Sequence, residues 1–129
     1  MIRKKVLILG ATGNLGKPVA KALSDAGFDV KILTRDAQKA QRIFDQSFEV
    51  IVGSPIDEGC LKTAMDGCYG VHISLPTEVE QQSAELVAML APRCGVKHLS
   101  YISGASVGEE NRWFPMVDRK FQEIGRAHV

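Results

Sequence analysis

The sequence lacks an excess of either charge: 16 lysines and arginines stand against 15 aspartates and glutamates, a formal net charge of +1. With no cationic surplus, and no basic cluster interleaved with aromatics, there is no electrostatic footprint for nucleic acid or an anionic membrane surface, so neither is expected as a partner. Cysteine is scarce as well. Cys60, Cys68 and Cys94 are odd in number and have no metal-ligand spacing. That excludes a complete disulfide framework and points to reduced thiols in a cytoplasmic protein without a metal site. The histidines, His72, His98 and His128, show no ligand spacing either. Long apolar runs are also missing. Val6-Leu7-Ile8-Leu9, preceded by three basic residues, is too short for a signal-peptide core and runs into a glycine loop instead of a cleavage site. Nothing approaches the roughly 20 apolar residues that cross a bilayer.

What is present fits one ordinary globular domain: 129 residues, 45% hydrophobic and 24% charged. Residues 6–9 form a continuous apolar run closed by glycine, the pattern of a strand buried on both faces. Leu15, Val19 and Leu23 then recur at helical spacing up to Gly27. The alternation continues with a strand at 29–34, a helix from Asp36 to about Asp45, and a strand at 48–52. After the Gly53-Ser54-Pro55 turn come a helix at 58–65 and a strand at 69–74. A long helix opens at Pro76-Thr77 and ends near Pro92, a strand follows at 97–102, and a last helix starts around Pro115. Strands that alternate with helices of this length are parallel, and right-handed crossovers then give an α/β fold: a doubly wound parallel sheet of about five strands with helices on both faces.

Gly10-x-x-Gly13-x-x-Gly16 falls between the first strand and the first helix. There a first glycine permits the tight turn, a second lets backbone approach a pyrophosphate, and a third lets helix and sheet pack closely. The helix N-terminus adds unpaired N–H donors and a positive dipole end, and Thr12 and Asn14 offer side-chain donors. The loop is therefore expected to hold a dinucleotide. The second strand ends Leu33-Thr34-Arg35-Asp36. A guanidinium at Arg35 suits a 2′-phosphate, which favours NADP over NAD. Asp36 either grips a ribose or caps the next helix, and Arg35 is alternatively a solvated charge paired to Asp36 or Glu49. His72 reads as a satisfied core residue inside a strand, and His98 as the start of one.

Gly10-Ala11-Thr12-Gly13-Asn14-Leu15-Gly16 with Thr34-Arg35, then Gly95-Val96-Lys97-His98-Leu99-Ser100-Tyr101-Ile102-Ser103, resembles the NmrA-like atypical short-chain dehydrogenase/reductases. The stretch 111–116 with Lys120 is also similar to a subgroup of these proteins, and the resemblance covers residues 4–123. It implies a Rossmann domain that binds NAD(P), followed by a smaller substrate region. It also implies that Gly10, Thr12, Gly13, Asn14, Leu15, Gly16, Thr34, Arg35, Ser74, Leu75, Pro76 and Ser103 face the cofactor. The Tyr-x-x-x-Lys proton-transfer pair of active short-chain dehydrogenases is absent, since neither Tyr69 nor Tyr101 has a lysine four residues later. Ser103 and Lys120 are the remaining catalytic candidates. Ser54 stands after Gly53 where many relatives carry an acid, and Asp57 either substitutes for it or caps the next helix.

The resemblance implies an oxidoreductase that transfers hydride to or from a small substrate such as a quinone or enone. The alternative is a non-catalytic NAD(P)-sensing module, and a sugar-nucleotide epimerase ranks third because such enzymes use the missing tyrosine. Residues 1–123 are expected to be a cofactor-binding domain incomplete at its C-terminus. Residues 124–129 do not continue the apolar pattern, match the translation of a sequencing adapter, and are expected to be a non-native tail.

Overall fold

The computed structural model describes residues 3–13, 16–44 and 48–101. Five strands and four helices alternate: β1 Lys5–Leu9, α1 Gly16–Asp25, β2 Asp29–Thr34, α2 Ala37–Ile43, β3 Glu49–Val52, α3 Glu58–Met65, β4 Gly70–Ile73, α4 Thr77–Cys94 and β5 His98–Tyr101. All strand pairs are parallel, and the sheet order is β3-β2-β1-β4-β5.

The side-chain alternation of the strands divides the core in two. Val6 and Ile8 of β1, with Val30 and Ile32 of β2, pack on Ala20 of α1 and on Ala40 and Phe44 at the end of α2. Leu7, Leu9, Leu33, Val71 and Ile73 point the other way, onto Leu61, Ala64 and Met65 of α3 and Ala84, Val87, Leu90 and Ala91 of α4. Central strands covered on both faces have no room for polar alternation, which is why residues 6–9 of β1 read as an unbroken apolar run. Lys31 breaks the pattern: it is buried on the α3/α4 side, with Nζ 3.6 Å from Glu49 Oε2.

From β1 the chain steps outward to β2 and β3 with its helices on one face. It then crosses to β4 and β5 with its helices on the other. The reversal falls between β1 and β4, so a crevice opens beyond the carboxyl ends of those two strands. This is the doubly wound Rossmann arrangement expected from the sequence.

Strand limits fall within a residue of expectation, but two helix ends differ. α2 stops at Ile43, with Phe44 as its C-cap, and not at about Asp45. α4 runs past Pro92 to Cys94, because its sheet-facing stripe continues through Leu90 and Ala91. The stop signal is Gly95, left-handed at φ 77°, whose N–H donates to the Ala91 carbonyl. His98 opens β5 as expected. His72 is only half satisfied among the described residues: Nδ1 is hydrogen-bonded to Ser100 Oγ at 2.8 Å, while Nε2 is buried and finds no partner there. Burial, with His98 nearby, pushes its pKa down. The helix expected from Pro115 and the tail at 124–129 lie outside the described residues. Among the described residues no helix is long and apolar enough to cross a membrane, and no group of three or more His, Cys, Asp or Glu could hold a metal. Cys60, Cys68 and Cys94 are free thiols.

Candidate functional site

The crevice is built on the β1–α1 turn. Gly13 N–H donates to the Gly10 carbonyl at 3.1 Å, and Lys17 N–H donates to the Gly13 carbonyl at 3.1 Å, so the loop winds directly into α1. Gly10 has φ +84°, and a Cβ there would overlap the carbonyl oxygen of Ser74. A Cβ on Gly16 would overlap the Gly10 carbonyl oxygen. Both glycines are therefore demanded by the protein's own backbone. For Gly16 the close approach is to the loop itself rather than to the sheet. Gly13 is different. Its φ is not positive, and among the described residues a Cβ would meet nothing nearer than the Gly10 oxygen at 3.4 Å, an ordinary contact. The described residues would accept a side chain at Gly13, yet none is present on this part of the loop.

A cleft of about 550 Å³ runs across this loop. Gly10, Ala11, Thr12 and Gly13 form its middle. Thr34, Arg35 and Lys39 stand at the β2 end with Pro55, and Ser74, Leu75, Pro76, Glu78 and Val79 form the wall at the β4 end. The cleft thus brings together Gly10, Thr12, Gly13, Thr34, Arg35, Ser74, Leu75 and Pro76 from the sequence reading. Gly16 stands behind the loop and not on the wall. Asn14, Leu15, Ser103 and Lys120 lie outside the described residues.

The electrostatics of the β2 end follow from its capping. Asp36 Oδ1 accepts the Lys39 N–H at 3.0 Å, capping α2, and the Asp36 N–H donates to Thr34 Oγ1 at 3.1 Å. Of the two roles open to Asp36, the carboxylate is thus engaged in the cap. Glu49 is paired with Lys31. Arg35 is exposed on the cleft wall and makes no ion pair among the described residues. Nearby, Ser54 Oγ accepts the Ile56 N–H at 3.2 Å, and Asp57 Oδ1 accepts the Cys60 N–H at 2.9 Å as the N-cap of α3. That hydrogen bond holds the Asp57 carboxyl below the usual carboxylate range.

At the β4 end Ser74 is fixed by its N–H, which donates to the Leu9 carbonyl at 2.9 Å. Its Oγ is buried and among the described residues has no hydrogen-bond partner, although it belongs to a residue of the cleft wall. A buried hydroxyl without a partner is uncommon and calls for a ligand or water.

Sequence reasoning missed Lys39, Pro55, Glu78 and Val79. Lys39 was within reach as a second cation close to Arg35 in the chain, although Arg35 precedes the N-cap Asp36 and lies outside α2. Glu78 and Val79 carried no such signal, since only the angle at which α4 leaves β4 brings its first turn to the wall.

A parallel sheet with reversed strand order and a glycine loop at its switch point defines a Rossmann-type nucleotide-binding fold. The chain belongs to the NmrA-like family, whose model matches residues 2–122. It is 28% identical to an NAD(P)H azoreductase of Xenophilus azovorans over 130 residues, covering 95% of this chain and 45% of that protein. The fold matches a Rossmann-fold NAD(P)-binding family protein from Shigella flexneri with a TM-score of 0.82 at 26% identity, over 96% of this chain and 64% of that one. It also matches an NADPH-dependent quinone oxidoreductase from Escherichia coli, solved with NADPH, with a TM-score of 0.78 at 23% identity over 93% of this chain and 45% of that one. The chain thus spans less than half the length of the azoreductase.

Proposed function

We propose that the cleft binds a nicotinamide dinucleotide, NADP in preference to NAD, as the cofactor-holding part of an oxidoreductase that acts on a small molecule such as a quinone or enone. The observation that carries this reading is the contrast among the three glycines. Gly10 and Gly16 are explained by the fold, whereas nothing among the described residues demands a glycine at 13, as suits a loop approached by a pyrophosphate. The partnerless Ser74 Oγ fits the same ligand, because a ribose hydroxyl would satisfy it. When bound, the nicotinamide supplies the hydride chemistry. The chain's residues orient it: the Gly10–Gly13 turn and the α1 N-terminus hold the pyrophosphate, Thr34, Arg35 and Lys39 hold the 2′-phosphorylated ribose, and Ser74, Leu75 and Pro76 line the other half. The relatives' names, an NAD(P)H azoreductase and an NADPH-dependent quinone oxidoreductase, support the substrate class. The free thiols fit the reducing cytoplasm.

Titration of the protein with NADPH and NADH, followed by calorimetry, tests the reading: both bind, NADPH more tightly. No binding of either would overturn it. The absence of a Tyr-x-x-x-Lys pair in the sequence favours a second reading, a dinucleotide sensor without turnover. Oxidation of NADPH with a panel of quinones and enones, using the protein with its full substrate region, separates the two.

A further inference from the structure

The cleft is lopsided in charge. Its β2 end carries the cations Arg35 and Lys39, whereas its β4 end carries Glu78, exposed in the first turn of α4 two residues after the N-cap Pro76. Asp36, the other acid on the wall, has its carboxylate engaged by the Lys39 N–H. Glu78 has no ion-pair partner among the described residues. Favourable interaction with the helix dipole explains an acid in a first turn. It does not explain a carboxylate on the wall of the cleft, and Glu80, in the same turn, is buried away from solvent.

The inference rests on the dinucleotide reading above. With the pyrophosphate over the glycine loop and the adenosine ribose at Arg35 and Lys39, the wall that remains for the nicotinamide half is the segment from Ser74 to Val79. The two redox forms differ there and nowhere else. Loss of hydride, one proton with two electrons, converts a neutral dihydronicotinamide into a ring bearing one positive charge. A carboxylate beside that ring attracts the oxidised form and is indifferent to the reduced one.

We propose that Glu78 sets the redox-state preference of the cofactor, binding the oxidised dinucleotide more tightly relative to the reduced one than a neutral residue would. Tighter binding of the oxidised form lowers the potential of the bound couple, which makes the bound reduced form a stronger hydride donor. For a two-electron couple a tenfold change in the affinity ratio corresponds to about 30 mV.

The test is the ratio of dissociation constants for NADP⁺ and NADPH, measured by calorimetry on the wild-type chain, Glu78→Gln and Glu78→Lys at low and high salt. The ratio cancels every contribution from the phosphates, which the two forms share. Glu78→Gln is expected to weaken NADP⁺ about threefold relative to NADPH at low ionic strength, and Glu78→Lys about tenfold, with both gaps closing near 1 M salt. A role confined to the helix dipole would leave the ratio unmoved. If both forms bind all three proteins with one common ratio, the inference about Glu78 is overturned and the cleft reading stands. If the wild-type chain binds neither form, the cleft reading falls and this inference falls with it.

Discussion

The carbonyl oxygen of Ser74, the first residue past β4, occupies the space that a Cβ on Gly10 would need. The two segments that flank the switch point are thereby locked together, since Ser74 N–H also donates to Leu9, the residue before Gly10. The mouth of the cleft is set by backbone against backbone, and no side-chain rotamer can relieve a substitution there. Gly10→Ala combines this overlap with a left-handed φ of +84°. It is expected to destabilise the protein by roughly 2–4 kcal/mol. Urea unfolding checks this, and a midpoint equal to wild type would refute the account of the loop.

Gly13→Ala separates folding from binding. Among the described residues a Cβ at Gly13 has only an ordinary 3.4 Å contact to meet, and φ is not positive. Stability is expected to stay within about 1 kcal/mol of wild type. The added methyl occupies the surface on which the pyrophosphate would rest, so NADPH affinity is expected to fall about tenfold or more. Tight NADPH binding by Gly13→Ala would remove the observation on which the functional reading depends.

Much of this was legible in the sequence because local signals and tertiary demands agree. Asp36 and Asp57 stand three residues before the N–H groups they cap, and both capping bonds form. The apolar run Val6–Leu9 of β1 announces a strand covered on both faces. What could not be read depends on three-dimensional placement. Pro92 is a sound local stop signal, yet burial of Leu90 and Ala91 carries α4 on to the left-handed Gly95. Lys31 is buried in β2 with its ammonium 3.6 Å from Glu49 on the neighbouring strand, a placement that no local signal announces. His72 reads as satisfied because sequence cannot count partners, and only one of its nitrogens finds one among the described residues. Whether Glu78 or Glu80 would reach the cleft depends on the phase of α4 against the sheet, which no i+4 rule supplies.

Arg35 and Lys39 are expected to act together on the 2′-phosphate. Both are exposed on the cleft wall at the β2 end, and a phosphate between them would gain charge-assisted hydrogen bonds. Arg35→Ala is expected to weaken NADPH by about 10–100-fold, and Lys39→Ala by about 3–10-fold, because a point charge binds phosphate less specifically than a planar fork. NADH affinity should change little in either variant. If NADPH and NADH weaken in parallel, the two cations do not read the 2′-phosphate.

Glu80 gives a prediction about pH. Its side chain is buried, and among the described residues neither carboxylate oxygen has a hydrogen-bond partner. Burial pushes its pKa above the ordinary glutamate value. A group whose folded-state pKa is raised holds its proton in the native state after the unfolded chain has lost it. Its contribution to stability is therefore complete below the unfolded value of about 4.3 and declines as pH rises through the folded one. Glu80→Met removes the titrating group and keeps the apolar stem. The variant's thermal midpoint should therefore gain on wild type steadily from pH 4 upward, and the gain should level off once Glu80 in the wild-type protein has ionised. Thermal melts of both proteins across pH 4–8 decide it. A constant difference in midpoint over that range would mean that Glu80 titrates alike in the folded and unfolded chains.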